Sequence, residues 1–145
     1  MPKSQNVRIV ESLYAAFAQG NIQAVLDVFD EQIEWQSAEN SPYAAGPLRG
    51  KQAVLDGVFA RLARDWESFR VTPREYLDAG DSVIALGRYS GTHRNTGRQI
   101  LPQFAHLWDI QGGRIVRYRQ YTDTLQLAEA YGLAAKTAMS ASAAH

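Results

Sequence analysis

The stretch FAHLWDIQGGRIVRYRQY, residues 104–121, decides the fold class of this chain. Side chains on both sides of Gly112-Gly113 alternate in character with a period of two, which is typical of two strands joined as a β-hairpin. A three-residue loop with Gly113 in the left-handed region pairs Ile110 with Arg114. That pair sets the register by which the other residues of the hairpin are assigned to a face.

Counting outward from this pair gives the hairpin two faces. The first face carries Phe104, His106, Trp108, Val116, Tyr118 and Gln120. A mostly aromatic surface with two polar groups is typical of a ligand pocket. The second face carries Leu107, Ile115, Arg117, Arg119 and Tyr121. Because tyrosine and arginine are enriched in protein–protein interfaces, the second face predicts the contact of a homodimer.

The same period of two marks the other predicted strands. With the hairpin included, the predicted strands cover residues 32–37, 69–77, 82–93, 99–110 and 114–121. Asp78-Ala79-Gly80-Asp81 and Asn95-Thr96-Gly97 contain the residue types that favour turns. The last four strands are therefore predicted to form an antiparallel meander.

Four segments have the 3.6-residue period of helices. The predicted helices cover residues 7–19, 22–29, 51–66 and 124–131. Gly20 closes the first helix, while Asn21 and Asp123 are placed to cap the second and the last. Helices followed by a meander of strands predict an α+β domain with the helices packed on one face of the sheet.

The composition limits the classes of function. A length of 145 residues suits one domain, predicted over 1–133, and the Ala/Ser-rich residues 134–145 are predicted to be a flexible tail. Lysine plus arginine balance aspartate plus glutamate at 15 each, so the chain has no broad field to hold nucleic acid or a membrane surface. With no cysteine, disulfides and thiolate sites are excluded. The chain has no long apolar run, and we expect a cytoplasmic protein.

His106 is the candidate for chemistry on the pocket face, because an unperturbed imidazole titrates near working pH and serves as a general acid or base. Gln120 and Tyr118 are its predicted partners in orienting a ligand. The alternative is a neutral core histidine hydrogen-bonded to Tyr118 or Gln120. The predicted aromatic lining of the pocket is Trp35, Tyr89, Phe104, Trp108 and Tyr118, and the alternative for this set is plain core.

Other polar residues have simpler interpretations. We expect Asp123 to be a helix cap, and Glu39 to be an ordinary surface charge. His93 lies by a polar turn with Arg94 and Arg98, and is predicted to be solvated. Since a metal site needs three or four convergent ligands, we expect neither a metal nor another cofactor.

Several segments carry a family resemblance in the order Tyr14-Ala15-Ala16-Phe17, Phe29-Asp30-Glu31, Ile33-Glu34-Trp35 and the hairpin through Asp123. Together they resemble the SnoaL-like and ketosteroid isomerase-like branch of the nuclear transport factor 2-like superfamily. The resemblance implies a cone-shaped α+β fold, with a curved, mostly antiparallel sheet and three to four helices enclosing a pocket. It also implies a common dimer through the outer sheet face, and it brings Tyr43 near the pocket mouth.

The departures from the family patterns bear on chemistry. Where the resemblance implies the catalytic aspartate of a ketosteroid isomerase, this chain has Ser37, and we add Ser37 to the predicted ligand-binding residues. The family's helix-1 tyrosine falls on Leu13, and its protonated acid falls on His106. A polyketide cyclase aspartate falls on Gln120, whose amide has no useful basicity at neutral pH. Mechanisms that need a carboxylate base there are therefore disfavoured.

Three functions remain open on the sequence. The first is an enzyme, an isomerase, cyclase or dehydratase, acting on a small apolar carbonyl- or hydroxyl-bearing compound with His106 as acid/base. The second is a non-catalytic pocket for a small hydrophobic or aromatic ligand. The third is a dimeric interaction module whose outer sheet face is the functional surface. A titrating His106 favours the enzyme, and a neutral one favours binding.

Overall fold

The computed structural model describes residues 3–43 and 46–132, so the tail predicted for 134–145 lies outside the described residues. The helices are α1 (Gln5–Ala18), α2 (Ile22–Asp27), α3 (Lys51–Val54), α4 (Ala60–Asp65) and α5 (Thr124–Ala130). A π-helical segment, Leu55–Phe59, joins α3 to α4 in one continuous helix. The strands are β1 (Phe29–Gln36), β2 (Leu48–Arg49), β3 (Trp66–Asp78), β4 (Ser82–His93), β5 (Gln99–Ile100), β6 (Gln103–Gln111) and β7 (Arg114–Thr122).

The strands form one strongly curved sheet in the order β2-β1-β7-β6-β4-β3, with β5 paired to β4. Neighbours pair antiparallel except β1 and β7, which are parallel. This parallel pair brings the first strand of the chain beside the last. The predicted α+β class with a curved, mostly antiparallel sheet is confirmed.

The apolar stripes of the helices pack against the sheet, as the 3.6-residue period predicts. From α1, the stripe contributes Val7, Val10 and Leu13 to the core. Both predicted caps form, since the Asn21 side chain accepts from the backbone of Ala24 and Asp123 accepts from Leu125. Within the described residues, the helices are too short or too polar to span a bilayer.

Three predicted element boundaries are wrong. Phe29 begins β1 and does not end the second helix, and Trp66 begins β3 in extended conformation and does not end the long helix. The predicted strand 99–110 is broken at Leu101-Pro102, because proline lacks the N–H that a central ladder position needs. Both Phe29 and Trp66 are buried, so apolar character alone does not tell the end of a helix from the start of a strand.

The hairpin loop has two residues and not the three predicted. Gly112 and Gly113 have φ of 56° and 78°, as a type I′ turn requires at both central positions. Gln111 therefore pairs with Arg114 at the end of the ladder. The two loop types use the same glycines, which is why the short sequence signal suits both.

A β-bulge follows the loop and changes the register once more. Ile110 pairs with Ile115, and Val116 is the extra residue before the ladder resumes. The faces predicted for Ile115 and Val116 are therefore wrong, because Ile115 is fully buried in the core and Val116 only partly buried. The extra residue restores the predicted alternation beyond it, so Tyr118 and Gln120 both lie on the inner side.

Candidate functional site

A cavity of about 70 Å³ lies between the helices and the inner side of the sheet. Its apolar walls come from α1 and the π-helical segment, through Leu13, Phe17, Val58 and Phe59, and from the strands, through residues such as Phe29 and Val71. The side chains that bring polar atoms to it are Tyr14, Trp35, Ser37, Tyr43, Tyr89, His106, Trp108, Tyr118 and Gln120. Among the described residues, no aspartate, glutamate, lysine or arginine lines this cavity.

The predicted site residues converge on this cavity with one exception. Those that line it are Trp35, Ser37, Tyr43, Tyr89, His106, Trp108, Tyr118 and Gln120. Phe104 instead supports the ring of His106, which it stacks against with centroids 3.9 Å apart and planes 12° apart. The hairpin register explains much of this convergence, since His106 pairs with Gln120 and Trp108 with Tyr118.

His106 is hydrogen-bonded at both ring nitrogens. Its Nδ1 lies 2.6 Å from the hydroxyl of Tyr14 on α1, and its Nε2 bonds the hydroxyl of Tyr89 on β4. The alternative partners expected from the sequence, Tyr118 and Gln120, do not bond the ring directly. The imidazole is 3% exposed and is therefore held between two phenols, away from solvent.

Tyr14 is the site residue that sequence reasoning missed. It belongs to the apolar stripe of α1, and the stripe accounts for its burial without any further role. The available signal is chemical, because a buried tyrosine hydroxyl usually needs a hydrogen-bond partner. Its partner His106 lies 92 residues away in sequence, so the pair follows from the tertiary fold.

Each phenol oxygen is fixed by a second donor. Trp108 Nε1–H donates to the Tyr14 oxygen at 2.9 Å, and the Gln120 amide Nε2–H donates to the Tyr89 oxygen at 2.8 Å. The backbone N–H of Ala38 donates to Gln120 Oε1 at 3.0 Å, which fixes the orientation of the amide. The five side chains thus form one connected network around the ring.

Burial keeps this network uncharged at neutral pH. Desolvation lowers the pKa of His106 to about 3 and raises the pKa of Tyr14, Tyr89 and Tyr118 above the ordinary value. Since the lining contributes no opposite charge, nothing offsets the cost of ionising these groups. The described residues also contain no group of three histidine, aspartate or glutamate side chains placed to hold a metal ion.

Ser37 and Gln120 separate the cavity from the protein surface. Both also line a polar cleft outside, together with Glu39, Arg119 and Thr122. Glu39 is exposed in that cleft and does not line the cavity. The two shared residues therefore lie between the cavity and the cleft.

The loop that carries Tyr43 is held against the helices. Arg61 donates to the backbone oxygens of Pro42 and Tyr43, at 2.7 and 2.6 Å. The Tyr43 hydroxyl lies 2.8 Å from that of Tyr131 and accepts from the indole of Trp66. These contacts keep the Tyr43 ring against the cavity at a second point of its wall.

The prediction that His93 is solvated is wrong. His93 is 3% exposed and packs against Trp66 and Tyr131, with ring centroids 5.2 and 4.3 Å away. Its place on β4 explains this, because it shares the inward face with Tyr89, four residues earlier. The polar neighbours in the turn predicted exposure, whereas the alternation of side chains along β4 predicts burial. His93 does not line the cavity.

Comparison with known proteins agrees with this architecture. The SnoaL-like domain family matches residues 10–118. A nuclear transport factor 2-like protein of Burkholderia thailandensis E264 is 35% identical, covering 90% of this chain and 98% of its own, with a TM-score of 0.83. No curated protein matches the sequence.

More distant structures share the fold. TerC, co-crystallised with polyporic acid, is 23% identical with a TM-score of 0.78, covering 88% of this chain and 98% of its own. A protein of Catenulispora acidiphila DSM 44928 with a ketosteroid isomerase-like fold, in complex with trimethylamine, is 23% identical with a TM-score of 0.71. The match covers 86% of this chain and 92% of that protein. The family resemblance inferred from the sequence is thus confirmed.

Proposed function

This chain belongs to the SnoaL-like domain family, whose fold encloses a small-molecule pocket, and we propose that its cavity binds a small, largely apolar molecule carrying an acceptor oxygen. A carbonyl or hydroxyl oxygen is the group that fits. The observation that carries this proposal is the neutral imidazole of His106 held between Tyr14 and Tyr89. TerC supports the proposal in kind, because a protein of the same fold was co-crystallised with an organic molecule.

Counting hydrogens shows why an acceptor oxygen fits. A neutral imidazole has one N–H and one lone pair, so one phenol donates to the His106 ring and the other accepts from it. The accepting phenol keeps its own O–H. Both phenol oxygens already accept an N–H, from Trp108 and from Gln120. Tyr118 also lines the cavity and lies within hydrogen-bonding reach of Tyr89, so at least one O–H, from the accepting phenol or from Tyr118, is left for an oxygen of the ligand.

The size and composition of the cavity restrict the ligand. A volume of about 70 Å³ is the space of a few water molecules. A ring-sized ligand therefore needs the wall at Ser37 to open, with the Gln120 amide still bonded to Tyr89. Aromatic groups such as Trp35 and Tyr118, stacked with centroids 3.7 Å apart, favour a flat apolar body. The absence of charged lining in the described residues disfavours an ionic ligand.

A second candidate function is catalysis, favoured by the hydrogen bonds on both nitrogens of His106. Of the isomerase, cyclase and dehydratase classes, isomerisation suits this site best, because it moves a proton within one molecule and leaves no net charge. Dehydration needs an acid able to protonate a leaving hydroxyl, and burial weakens the phenols of Tyr14 and Tyr89 as acids. Gln120 and Tyr118 then serve to hold the network and the ligand.

Binding can be tested with two probes of the same shape, cyclohexanone and methylenecyclohexane, which differ in having C=O or C=CH₂. We expect the ketone to bind about 3–10-fold more tightly, since one net hydrogen bond contributes about 0.5–1.5 kcal/mol. The measurement is a titration followed by the Trp108 indole N–H resonance. Equal affinities, or no shift of that resonance at millimolar ketone, would refute the proposal.

Two substitutions on the same loop provide the control. Ser37→Trp fills the wall between the cavity and the cleft and should weaken binding of both probes at least about tenfold. Glu39→Gln changes an exposed residue of the cleft and should leave both affinities unchanged. Equal binding by the Ser37→Trp protein would show that the probes bind elsewhere.

We also propose that the chain forms a homodimer through the outer sheet face. After the correction for the β-bulge, this face carries Leu107, Arg117, Arg119 and Tyr121. Tyr121 is 55% exposed, and an uncovered aromatic patch favours association. Light scattering at micromolar concentration should give twice the chain mass, and Tyr121→Glu should halve it. A monomeric wild-type mass, unchanged in Tyr121→Glu, would exclude this interface.

A further inference from the structure

Tyr14 and Tyr89 reach the ring of His106 from opposite sides. Tyr14 comes from α1 and bonds Nδ1, whereas Tyr89 comes from β4 and bonds Nε2. In the Nε2–H tautomer, Tyr14 donates to the ring and Tyr89 has the unused O–H. In the Nδ1–H tautomer these roles are reversed. The tautomer of one buried ring thus decides which phenol presents a proton to the cavity.

We propose that Tyr14, His106 and Tyr89 form a neutral proton relay, in which a proton enters at one phenol and leaves at the other while the imidazole changes tautomer. The relay rests on the proposed function and defines its substrate class, a ketone that exchanges with its enol. It makes Tyr14 and Tyr89 the catalytic residues that touch the substrate. His106 is the positioning residue that connects them.

The step balances in protons and electrons. Starting from the Nε2–H tautomer, the Cα–H bond of the ketone breaks, and its proton goes to the Tyr14 oxygen as the Tyr14 proton passes to Nδ1. At the other end, the Nε2 proton passes to the Tyr89 oxygen as the Tyr89 proton passes to the carbonyl oxygen. The electron pair of the broken C–H bond forms the C=C bond, and the carbonyl π pair forms the new O–H bond. The reverse reaction starts from the new tautomer.

The surroundings favour this neutral route over an ionic one. Among the described residues, the cavity lining has no charged side chain to stabilise an imidazolium or a phenolate. Burial lowers the pKa of His106 to about 3, so the ring is a poor base when it must hold a full charge. In the relay, one ring nitrogen of His106 gains a proton at the same time as the other loses one. The imidazole therefore never carries a net charge. The relay therefore removes the apparent conflict between a buried neutral histidine and proton transfer.

The hydrogen bonds to the Tyr14 and Tyr89 oxygens hold the two ends of the relay in place. Trp108 and Gln120 are obligate donors to the two phenol oxygens, so neither phenol can turn both of its lone pairs toward the ligand. Stacking of Phe104 on His106 holds the plane of the imidazole between the two oxygens. Both ends of the relay keep their geometry while the protons move.

The relay can be tested by following exchange of the α-hydrogens of cyclohexanone in D₂O by proton NMR. We expect the wild-type protein to accelerate exchange, and Tyr14→Phe and Tyr89→Phe each to reduce that acceleration about 10²-fold or more. The rate should be flat from pH 5 to 9, because no member of the relay ionises in that range. Tyr76→Phe is the matched control, since Tyr76 packs near Tyr14 without lining the cavity. No acceleration by the wild type with ketone bound, wild-type rates in Tyr14→Phe, or a rate that rises tenfold per pH unit would overturn the relay.

A second measurement needs no ligand and separates the relay from the binding proposal. Nitrogen-15 NMR of His106 should show the Nε2–H tautomer in Tyr14→Phe and the Nδ1–H tautomer in Tyr89→Phe. The reason is that a buried N–H without an acceptor is less tolerable than a buried lone pair without a donor. The same tautomer in both variants, or a doubly protonated ring at pH 7, would overturn the relay. Failure of cyclohexanone to bind would instead refute the proposed function, and the tautomer result would still show whether the ring can hold its proton at either nitrogen.

Discussion

His106→Ala should lower the turnover of an enolising ketone by about 10²–10⁴-fold, while Asp123→Asn should leave it unchanged. The loss is expected because the alanine variant has no group joining the two phenols that bond the ring. If the chain only binds its ligand, the same substitution should cost about 1–3 kcal/mol of binding, from polar groups left unpaired. The measurements are the exchange rate and the affinity for cyclohexanone, made on the same samples.

A second substitution separates the chemistry from the packing. In His106→Gln, the amide can accept from one phenol and donate to the other, but it cannot exchange these roles as an imidazole does. This variant should retain ketone binding and lose acceleration of exchange. Asp123 caps α5 by accepting from the Leu125 N–H at 3.1 Å, and asparagine caps a helix about as well. Wild-type exchange rates in His106→Ala, or loss of activity in a folded Asp123→Asn protein, would show that His106 is not the functional group of the cavity.

Acid should destabilise the protein through His106 alone by about 2–3 kcal/mol between pH 7 and pH 4.5. Burial lowers the folded-state pKa of this ring to about 3, whereas an unfolded histidine titrates near pH 6.5. Between the folded and unfolded pKa values, His106 is therefore protonated in the unfolded chain and neutral in the folded one. The contribution is fully present above the unfolded pKa, and it falls by about 1.4 kcal/mol per pH unit down to the folded one.

The glutamine variant isolates this contribution. Urea unfolding of wild type and His106→Gln at pH 7 and pH 4.5 gives four free energies of unfolding, and groups common to both proteins cancel in the comparison. The wild type should lose about 2–3 kcal/mol more than the variant on acidification. An equal loss in both proteins would mean that the His106 ring takes up its proton without unfolding.

The alternation of side chains along the sequence by itself determined which face carries much of the site. His106 and Trp108 are two residues apart on one strand, and Tyr118 and Gln120 two apart on the next. Residues two apart on one strand lie on the same face, so each pair is assigned correctly whatever the length of the loop between the two strands. The order of helices and strands likewise determined the α+β class, because it needs only apolar periodicity and turn residues.

The register and the partners of the ring were decided by tertiary structure. The two glycines suit either loop type, and burial of Ile115 in the core selects the tight turn with a bulge at Val116. His93 shows the same competition, since the inward face of β4 prevailed over its polar neighbours.

The hydrogen bond between Tyr14 and His106 joins residues 92 positions apart. No local pattern reports such a contact, because the stripe of α1 is complete without it. The sequence thus determined that a histidine faces a largely aromatic interior. Only the packing of α1 and β4 around that ring decided that it is enclosed by two phenols, and burial without a countercharge then decided that it is neutral.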